Sequence, residues 1–323
     1  MPVRSRDNFS AGKAGSPLRS DPEFGVNQKT MNRTVRAQKP AWLRKSLPSG
    51  PAYEQVRKMV RDGFLHTVCQ EAKCPNQWEC FSHHTATFLI MGDRCTRNCR
   101  FCAVKQGPGT RPDPKEPKRV ADAVASLGLR YAVVTSVTRD DLPDGGAWVF
   151  AETIRQIRKK VDGVLVEVLV PDFQGDETAL STVLDAGPDI LNHNIETVPR
   201  LYPLVRPQAD YLRSLELLKR VKELDPSIPA KSGIMLGLGE TSGEIEKTLE
   251  DVYRTGCRMM TIGQYLQPSS LHLPVARFVS PEEFDGWRET ALEIGFGEVF
   301  SGPFVRSSYK AHEMYRAVSR RGR

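Results

Sequence analysis

The sequence FLIMGDRCTRNCRFC, residues 88–102, joins a short apolar run to a polar loop that contains three cysteines. Phe88–Met91 has the length and composition of a buried strand. The cysteines follow in the spacing C-x3-C-x2-C, and three thiolates can hold an iron–sulfur cubane with one iron left open for another ligand. Structural zinc is the competing interpretation, but it normally takes four ligands in paired C-x2-C units. The spacing therefore favours an iron–sulfur cluster on Cys95, Cys99 and Cys102.

Downstream of this loop, apolar runs alternate with segments of helical periodicity. The predicted strands are Phe88–Met91, Tyr131–Val137, Val164–Val170, Ile190–Ile195, Ser232–Leu238 and Met259–Leu266. The predicted helices are Arg119–Leu127, Ala147–Lys160, Thr178–Ala186, Tyr211–Leu224, Gly243–Thr255 and Pro281–Ile294. This alternation predicts an α/β fold with parallel strands, built as a partial (β/α)6 TIM-like barrel, with a doubly wound open sheet as the alternative. In both architectures the functional residues lie at the carboxyl ends of the strands.

A second cysteine triplet lies upstream, at Cys69, Cys74 and Cys80, in the spacing C-x4-C-x5-C. With Cys257 the chain has seven cysteines, and residues 1–30 contain no apolar segment of the kind found in secretory signals. Disulfides are therefore not expected, and clustered thiols in a reducing compartment point to metal. We interpret the second triplet as the ligands of another cluster, again one ligand short, with core or zinc-binding thiols as the alternative.

The charge of the chain is concentrated in its first 48 residues. The 323 residues carry a net charge of +7, and residues 1–48, with ten basic and three acidic side chains, account for all of it. We interpret this segment as a solvated, disordered arm, with attraction to an acidic partner as the alternative. The neutral remainder has no basic stripe with interleaved aromatics and no apolar run long enough to cross a membrane, so neither nucleic acid nor a membrane is expected as a partner.

These patterns divide the chain into four parts. They are a basic arm at 1–48, an N-terminal cluster-binding extension at 49–87, the barrel at 88–280, and a C-terminal helix with a lid or tail at 281–323. We expect the protein in the cytoplasm, with the mitochondrion as the alternative because an Arg-rich leader can be a transit peptide. Acidic residues in the leader weaken that alternative, and Met31 is a second candidate start.

The loop of residues 88–102 resembles the signature of the radical S-adenosylmethionine superfamily. The resemblance implies that its three cysteines ligate a [4Fe–4S] cluster, that the fourth iron binds S-adenosylmethionine, and that electron transfer to the sulfonium yields a 5′-deoxyadenosyl radical. Phe101 matches the aromatic residue that packs near the adenine in that superfamily. Four polar residues at or near the strand ends are further candidate contacts for S-adenosylmethionine: Thr135, Glu167, Asn192 and Arg206.

The two cysteine triplets, in this order, resemble those of the lipoyl synthase family. The likeness extends over nearly all of residues 40–315 and includes the motifs KCPN, NHN and, at 306–309, RSSY. It implies that the second triplet holds an auxiliary [4Fe–4S] cluster with a serine of the RSSY motif as its fourth ligand. That serine corresponds to Ser308, with Ser307 as the close rival. Residues 1–30 are the part of the chain that the likeness is not expected to explain.

The resemblance implies the insertion of two sulfur atoms at C6 and C8 of an octanoyl-lysine chain, with the sulfur supplied by the auxiliary cluster. No general base of matched pKa can deprotonate such carbons, so a radical is required. The implied partners are octanoylated lipoyl-carrier domains, such as 2-oxoacid dehydrogenase subunits and the glycine cleavage H protein, and a reductant such as ferredoxin or flavodoxin. The alternatives are another radical enzyme with an auxiliary cluster, such as biotin synthase or a methylthiotransferase, and a zinc-binding or iron-storage scaffold without turnover.

Overall fold

The computed structural model describes residues 39–44, 51–82, 86–309, 311, 313 and 314. These residues belong to one compact unit that begins at Lys39. The basic arm predicted at residues 1–48 lies outside the described residues except for 39–44. The boundaries predicted for the extension, the barrel and the C-terminal segment remain predictions, because the described residues do not separate there into smaller units.

A sheet of eight strands forms the centre of the molecule. The strands of the chain are β1 (His66–Thr67), β2 (Thr87–Ile90), β3 (Arg94–Cys95), β4 (Lys105–Gln106), β5 (Tyr131–Ser136), β6 (Leu165–Leu169), β7 (Ile190–Asn192), β8 (Ala230–Leu236), β9 (Met259–Gln264) and β10 (Glu298–Gly302). The order in the sheet is β1-β2-β5-β6-β7-β8-β9-β10, and every neighbouring pair is parallel except β1 with β2. The outermost strands, β1 and β10, do not pair with each other in the described structure, so the barrel is open.

Helices connect the parallel strands in turn. The helices are α1 (Pro51–Asp62), α2 (Val68–Glu71), α3 (Gln77–Ser82), α4 (Glu116–Ser126), α5 (Ala147–Lys160), α6 (Glu177–Leu184), α7 (Tyr202–Val205), α8 (Tyr211–Leu224), α9 (Ser242–Arg254) and α10 (Pro281–Ile294). Each of β2, β5, β6, β7, β8 and β9 is followed by a helix that returns the chain for the next parallel strand, which confirms the predicted α/β fold and agrees with a partial (β/α)6 barrel. Within the described residues, no helix is both long and apolar enough to cross a membrane.

Burial and side-chain capping explain where several of these strands and helices form. All six residues of β9 are buried, as a parallel strand covered on both faces requires. At the start of α9, Thr241 and Glu244 form a reciprocal capping box, in which each side chain accepts a hydrogen bond from the other residue's backbone N–H. At the start of α10, the Ser280 hydroxyl accepts a hydrogen bond from the N–H of Glu283. These caps fix where the crossover helices begin.

Strand boundaries differ from the prediction where the chain leaves the sheet. The strand predicted at Ile190–Ile195 ends at Asn192, since the chain bends toward Glu196, whose φ of 68° does not belong to a strand. The sequence prediction also omits β10. Only Val299 of its five residues is buried, so this strand has no apolar run to reveal it.

Candidate active site

A single cavity of about 490 Å³ opens among the carboxyl ends of the strands. Its lining includes all six clustered cysteines: Cys69, Cys74, Cys80, Cys95, Cys99 and Cys102. Residues 305–309 of the C-terminal segment line it as well. The two triplets are therefore brought to one space, although they come from different parts of the chain.

The first triplet lies in a loop that backbone hydrogen bonds fasten to the barrel. The Cys95 sulfur accepts N–H groups from Arg97 at 3.4 Å and from Thr138 at 3.3 Å. The N–H of Thr96 donates to the carbonyl of Thr138, and the N–H of Cys102 donates to the carbonyl of Cys99, each at 3.0 Å. Hydrogen bonds of this kind to a ligating sulfur help to set the potential of an iron–sulfur cluster.

Arg97 ties the same loop to two strands. Its guanidinium, 5% exposed, donates to both carboxylate oxygens of Asp140, at 2.7 and 2.9 Å, and also to Asp172. Asp140 follows β5 and Asp172 follows β6, so one side chain links the loop to two neighbouring strand ends. Burial alone raises the pKa of Asp172, but the hydrogen bond and charge of Arg97 outweigh it and lower that pKa to about 2.

Three of these thiols, Cys69, Cys99 and Cys102, are held in an environment that disfavours their charged form. Burial raises the pKa of Cys99 to about 11 and that of Cys102 to about 12. Burial, followed by the charges of Cys74 and Cys80, also raises the pKa of Cys69 well above its ordinary value. Without a cation these thiols stay protonated at neutral pH, and bound iron stabilises the thiolates.

The triplets are not arranged to hold a single ion. In the part of the chain that the structure describes, no three His, Cys, Asp or Glu side chains converge on a point where one metal ion could bind. A cubane takes each thiolate on a different iron, so its ligands need not converge in that way. The donor set of three free thiols in each triplet therefore fits a cluster.

The second triplet is bound directly to the C-terminal segment. Cys69 lies in α2 and Cys80 in α3. Next to them, the Asn76 amide donates to the carbonyl of Phe304 at 2.7 Å, and the Tyr309 hydroxyl donates to Glu79 at 2.9 Å. These contacts span more than two hundred residues of sequence and carry residues 305–309 to the second triplet.

The two candidate serines differ in their hydrogen bonds. The Ser307 hydroxyl accepts a hydrogen bond from the Asn194 amide at 2.7 Å. Among the described residues, no hydrogen bond involves the Ser308 hydroxyl, and Ser308 lines the cavity. Arg306 precedes them, and desolvation lowers the pKa of its guanidinium. The geometry therefore leaves Ser308 available as a ligand, whereas Ser307 is engaged by Asn194.

Buried polar atoms without partners point into the cavity region beside the first triplet. They are Ser136 Oγ, His193 Nε2, Asn194 Oδ1 and Arg206 Nε, and all four residues line the cavity. Buried polar atoms normally have hydrogen-bond partners, so a ligand with several polar groups is expected there. S-adenosylmethionine, with its amino acid, ribose and adenine groups, fits that requirement.

The structure brings three of the five predicted S-adenosylmethionine contacts to the cavity. Phe101, Thr135 and Arg206 line it. Two others, Glu167 and Asn192, do not. They lie one layer deeper in the barrel, because the buried Glu167 carboxylate requires neutralisation and finds it in Lys231, at 2.9 and 3.1 Å, with Asn192 donating at 3.1 Å. The cavity lining therefore does not support their contact with the cofactor, which stays a prediction.

Sequence reasoning missed Asn194 and Glu196, which line the cavity beyond β7. Glu196 holds a left-handed φ of 68° and accepts a hydrogen bond from the Asn194 amide at 3.0 Å. A non-glycine residue in this conformation is often found at functional sites. The polar run from Asn192 to Asn194 at the end of a predicted strand was the available signal for Asn194, and no sequence pattern marked Glu196.

Two family models match the chain. One is described as the radical SAM superfamily and matches residues 89–252, and the other is described as the N-terminal domain of lipoyl synthase of the radical SAM family and matches residues 6–74. The second match begins within residues 1–30. The family likeness therefore reaches into the leader, contrary to the expectation that this part stays unexplained.

Curated relatives align over most of the chain. It is 58% identical over 285 residues to the lipoyl synthase of Desulfotalea psychrophila, which covers 88% of this chain and 95% of the relative. The identity to the lipoyl synthase of Rubrobacter xylanophilus is 58% over 275 residues, covering 85% and 86% of the two chains. For the lipoyl synthase of Thermus thermophilus it is 53% over 289 residues, covering 89% and 90%.

Solved structures share the fold at much lower identity. Streptococcus suis SuiB bound to S-adenosylmethionine superposes with a TM-score of 0.53 at 9% identity, covering 78% of this chain and 56% of SuiB. HydG, a maturase of the [FeFe]-hydrogenase, superposes with a TM-score of 0.50 at 15% identity, covering 72% and 62%. At these identities the likeness shows the barrel fold alone.

Proposed function

Because this chain belongs to the lipoyl synthase family, we propose that it inserts two sulfur atoms at C6 and C8 of a protein-bound octanoyl-lysine chain. The cofactors are two [4Fe–4S] clusters and S-adenosylmethionine. The observation that carries the proposal is the shared cavity, which both cysteine triplets and Ser308 line. A single acyl arm that enters this cavity can meet the radical source and the sulfur source without leaving the protein.

The side chains of this protein hold the two clusters, fix the cluster-binding loop against the barrel and exclude water from the cavity. The first cluster with S-adenosylmethionine supplies a carbon-centred radical, and the auxiliary cluster supplies sulfur. Cys95, Cys99 and Cys102 hold the first, while Arg97 fixes their loop against the barrel. Apolar side chains of the cavity lining exclude water from the acyl chain and protect a radical from side reactions: Val68, Leu89, Val137, Ile234 and Met235.

We assign the remaining ligands and contacts from the same geometry. Cys69, Cys74 and Cys80 hold the auxiliary cluster, with Ser308 as the fourth ligand because the Ser307 hydroxyl is occupied by Asn194. An alkoxide is a harder ligand than a thiolate, which suits a cluster that must give up its sulfur. Phe101, Thr135 and Arg206 are proposed contacts of S-adenosylmethionine, since all three line the cavity.

Because the octanoyl substrate is attached to a lysine of a carrier domain, the partner of this enzyme is a protein. We propose that octanoylated carrier domains, such as those of 2-oxoacid dehydrogenases and the glycine cleavage H protein, deliver the acyl arm, and that ferredoxin or flavodoxin delivers electrons. The cytoplasm is the proposed location. The seven cysteines support it, because all of them are free thiols in the structure and a reducing compartment keeps them so.

Mass spectrometry of an octanoylated carrier peptide, before and after incubation with the holoenzyme, S-adenosylmethionine and reductant, tests the function. The wild type is expected to add two sulfur atoms. Cys99→Ala is expected to abolish both S-adenosylmethionine cleavage and sulfur insertion, whereas Cys74→Ala keeps part of the cleavage and loses the insertion. Cys257→Ala is the matched control, because this buried cysteine lies outside the cavity lining. Equal loss of cleavage in folded Cys99 and Cys74 variants would contradict the division of roles.

Metal analysis separates the enzyme from a metal-binding scaffold without turnover. Anaerobic reconstitution is expected to give about eight irons per chain, from two four-iron clusters. One or two zinc ions per chain, without visible iron–sulfur absorbance, would support the scaffold instead.

A further inference from the structure

An apolar and basic patch covers the outside of the first cysteine loop. We define this loop patch as Arg100, Leu204 and Leu271. Leu271 is 94% exposed and Leu204 44% exposed, and Arg100 is exposed. Within the described residues, the Arg100 guanidinium takes part in no ion pair and no side-chain hydrogen bond.

Backbone hydrogen bonds hold the loop patch together. The N–H of Arg100 donates to the carbonyl of Val205 at 2.8 Å, and its carbonyl accepts from the N–H of Leu273 at 3.2 Å. The two exposed leucines are thus one and two residues away from the backbone partners of Arg100. The ring of His272 is also hydrogen-bonded to the carbonyl of Cys102 at 3.0 Å. The segment that presents Leu271 is therefore fastened to the cysteine loop itself.

We propose that the loop patch is the docking surface for a small acidic protein that carries one electron. The inference rests on the proposed function, which needs a reductant. Arg100 is exposed and lies between Cys99 and Cys102 in the sequence, and those cysteines line the cavity. A donor that docks on Arg100 is therefore only one residue along the chain from the Cys99 thiol.

The composition of the loop patch suits such a donor. Weak electron-transfer complexes have small interfaces, and opposite charges steer their encounter. The exposed Arg100 guanidinium supplies the positive charge, and the exposed leucines supply apolar contact. The donor is oxidised by one electron for each S-adenosylmethionine whose sulfonium C–S bond is broken, and the products are methionine and an adenosyl radical.

The test uses flavodoxin, an acidic flavoprotein, as the probe with the anaerobic holoenzyme. Arg100→Glu is expected to weaken flavodoxin binding about tenfold at low ionic strength, and the difference shrinks as salt is added. Leu271→Ser, which alters no residue of the cysteine loop, is expected to weaken binding several-fold and to slow cluster reduction by flavodoxin hydroquinone. Reduction of Leu271→Ser by dithionite, which needs no docking surface, is expected to match the wild type.

Two matched controls lie elsewhere on the barrel. Leu224, 40% exposed, ends α8, and Arg155, with its side chain 50% exposed, lies on α5. Leu224→Ser and Arg155→Glu are expected to bind flavodoxin as the wild type does.

Unchanged flavodoxin affinity in both Arg100→Glu and Leu271→Ser overturns the proposal. So does a selective loss of affinity for the octanoylated carrier domain, which would make the loop patch the substrate-protein surface. Because the affinity is measured without product formation, failure here is distinct from failure of the proposed sulfur insertion.

Discussion

Arg97 shows how one side chain can govern a cluster-binding loop. It lies between Cys95 and Cys99, two of the proposed cluster ligands, and joins their loop to Asp140 and Asp172, each beyond the end of a different strand. The cysteine spacing predicts the cluster, but the spacing does not reveal the residue that holds the loop in place. That role depends on two carboxylates that are distant in sequence and meet Arg97 only in the folded barrel.

Arg97→Lys is expected to lower the free energy of unfolding by about 1–3 kcal/mol, because lysine keeps the charge but cannot make the two parallel bonds to Asp140. Arg97→Ala is expected to cost about 3–5 kcal/mol, since it leaves the buried Asp172 carboxylate with the N–H of Gln174 and the more distant cation of Arg213. Urea unfolding of the anaerobic holoprotein measures both. An Arg97→Lys variant as stable as the wild type would contradict a bidentate role.

His193 makes the stability of the fold depend on pH. Burial, followed by the charge of Arg206, lowers its pKa from 6.5 to about 4, and its Nδ1 lies 2.9 Å from the carbonyl of Val170. In the unfolded chain the same ring binds a proton near its ordinary pKa. Between these two values the unfolded state binds more protons, so the folded state loses stability as the pH falls.

Between about pH 7.5 and about pH 6, the wild type is therefore expected to lose about 1 kcal/mol more unfolding free energy than His193→Gln does. The measurement is urea unfolding of both proteins at the two pH values and matched cluster content. An identical pH dependence of the two proteins would show that His193 titrates normally in the fold.

At the scale of helices and strands, sequence periodicity predicted the elements whose bounds are set by their own local sequence. The bounds of α5, α8 and α10 agree with the prediction to the residue, because each helix has an apolar face along its full length. β10 and the C-terminal segment could not be predicted in this way. Their places depend on β9 and on Asn76, which are remote in sequence.

Gly263 of β9 makes the close approach of the C-terminal segment possible. A Cβ at this position would overlap the carbonyl oxygen of Val305. Gly263→Ala is therefore expected to displace the segment that carries Ser308 and to lower the iron content from about eight to about four per chain, with S-adenosylmethionine cleavage partly retained. Iron analysis with a cleavage assay measures this.

The matched control is Gly286→Ala on α10, where a Cβ meets nothing within 4 Å. That variant is expected to keep both clusters and to gain about 0.5–1 kcal/mol from helix propensity. Full iron content in Gly263→Ala would show that the segment does not need this approach.

Across the whole molecule, the site is assembled from three distant parts of the chain. The N-terminal extension contributes one cysteine triplet, the loop after β2 contributes the other, and the segment after β10 contributes Ser308. Composition and periodicity predict the barrel, and the family likeness predicts the ligands. Neither could predict that Glu167 accepts hydrogen bonds from Lys231 and Asn192 inside the barrel. That arrangement depends on which polar side chains meet in the folded interior.

The origin of the inserted sulfur tests the account most directly. The holoenzyme is reconstituted with sulfide enriched in a heavy sulfur isotope and then given the octanoylated peptide, S-adenosylmethionine and reductant, with ordinary sulfide in solution. Mass spectrometry of the first turnover is expected to find both inserted atoms heavy, since the second triplet holds the donor beside the radical source. A product that contains only the ordinary isotope would contradict a sulfur source within the shared cavity.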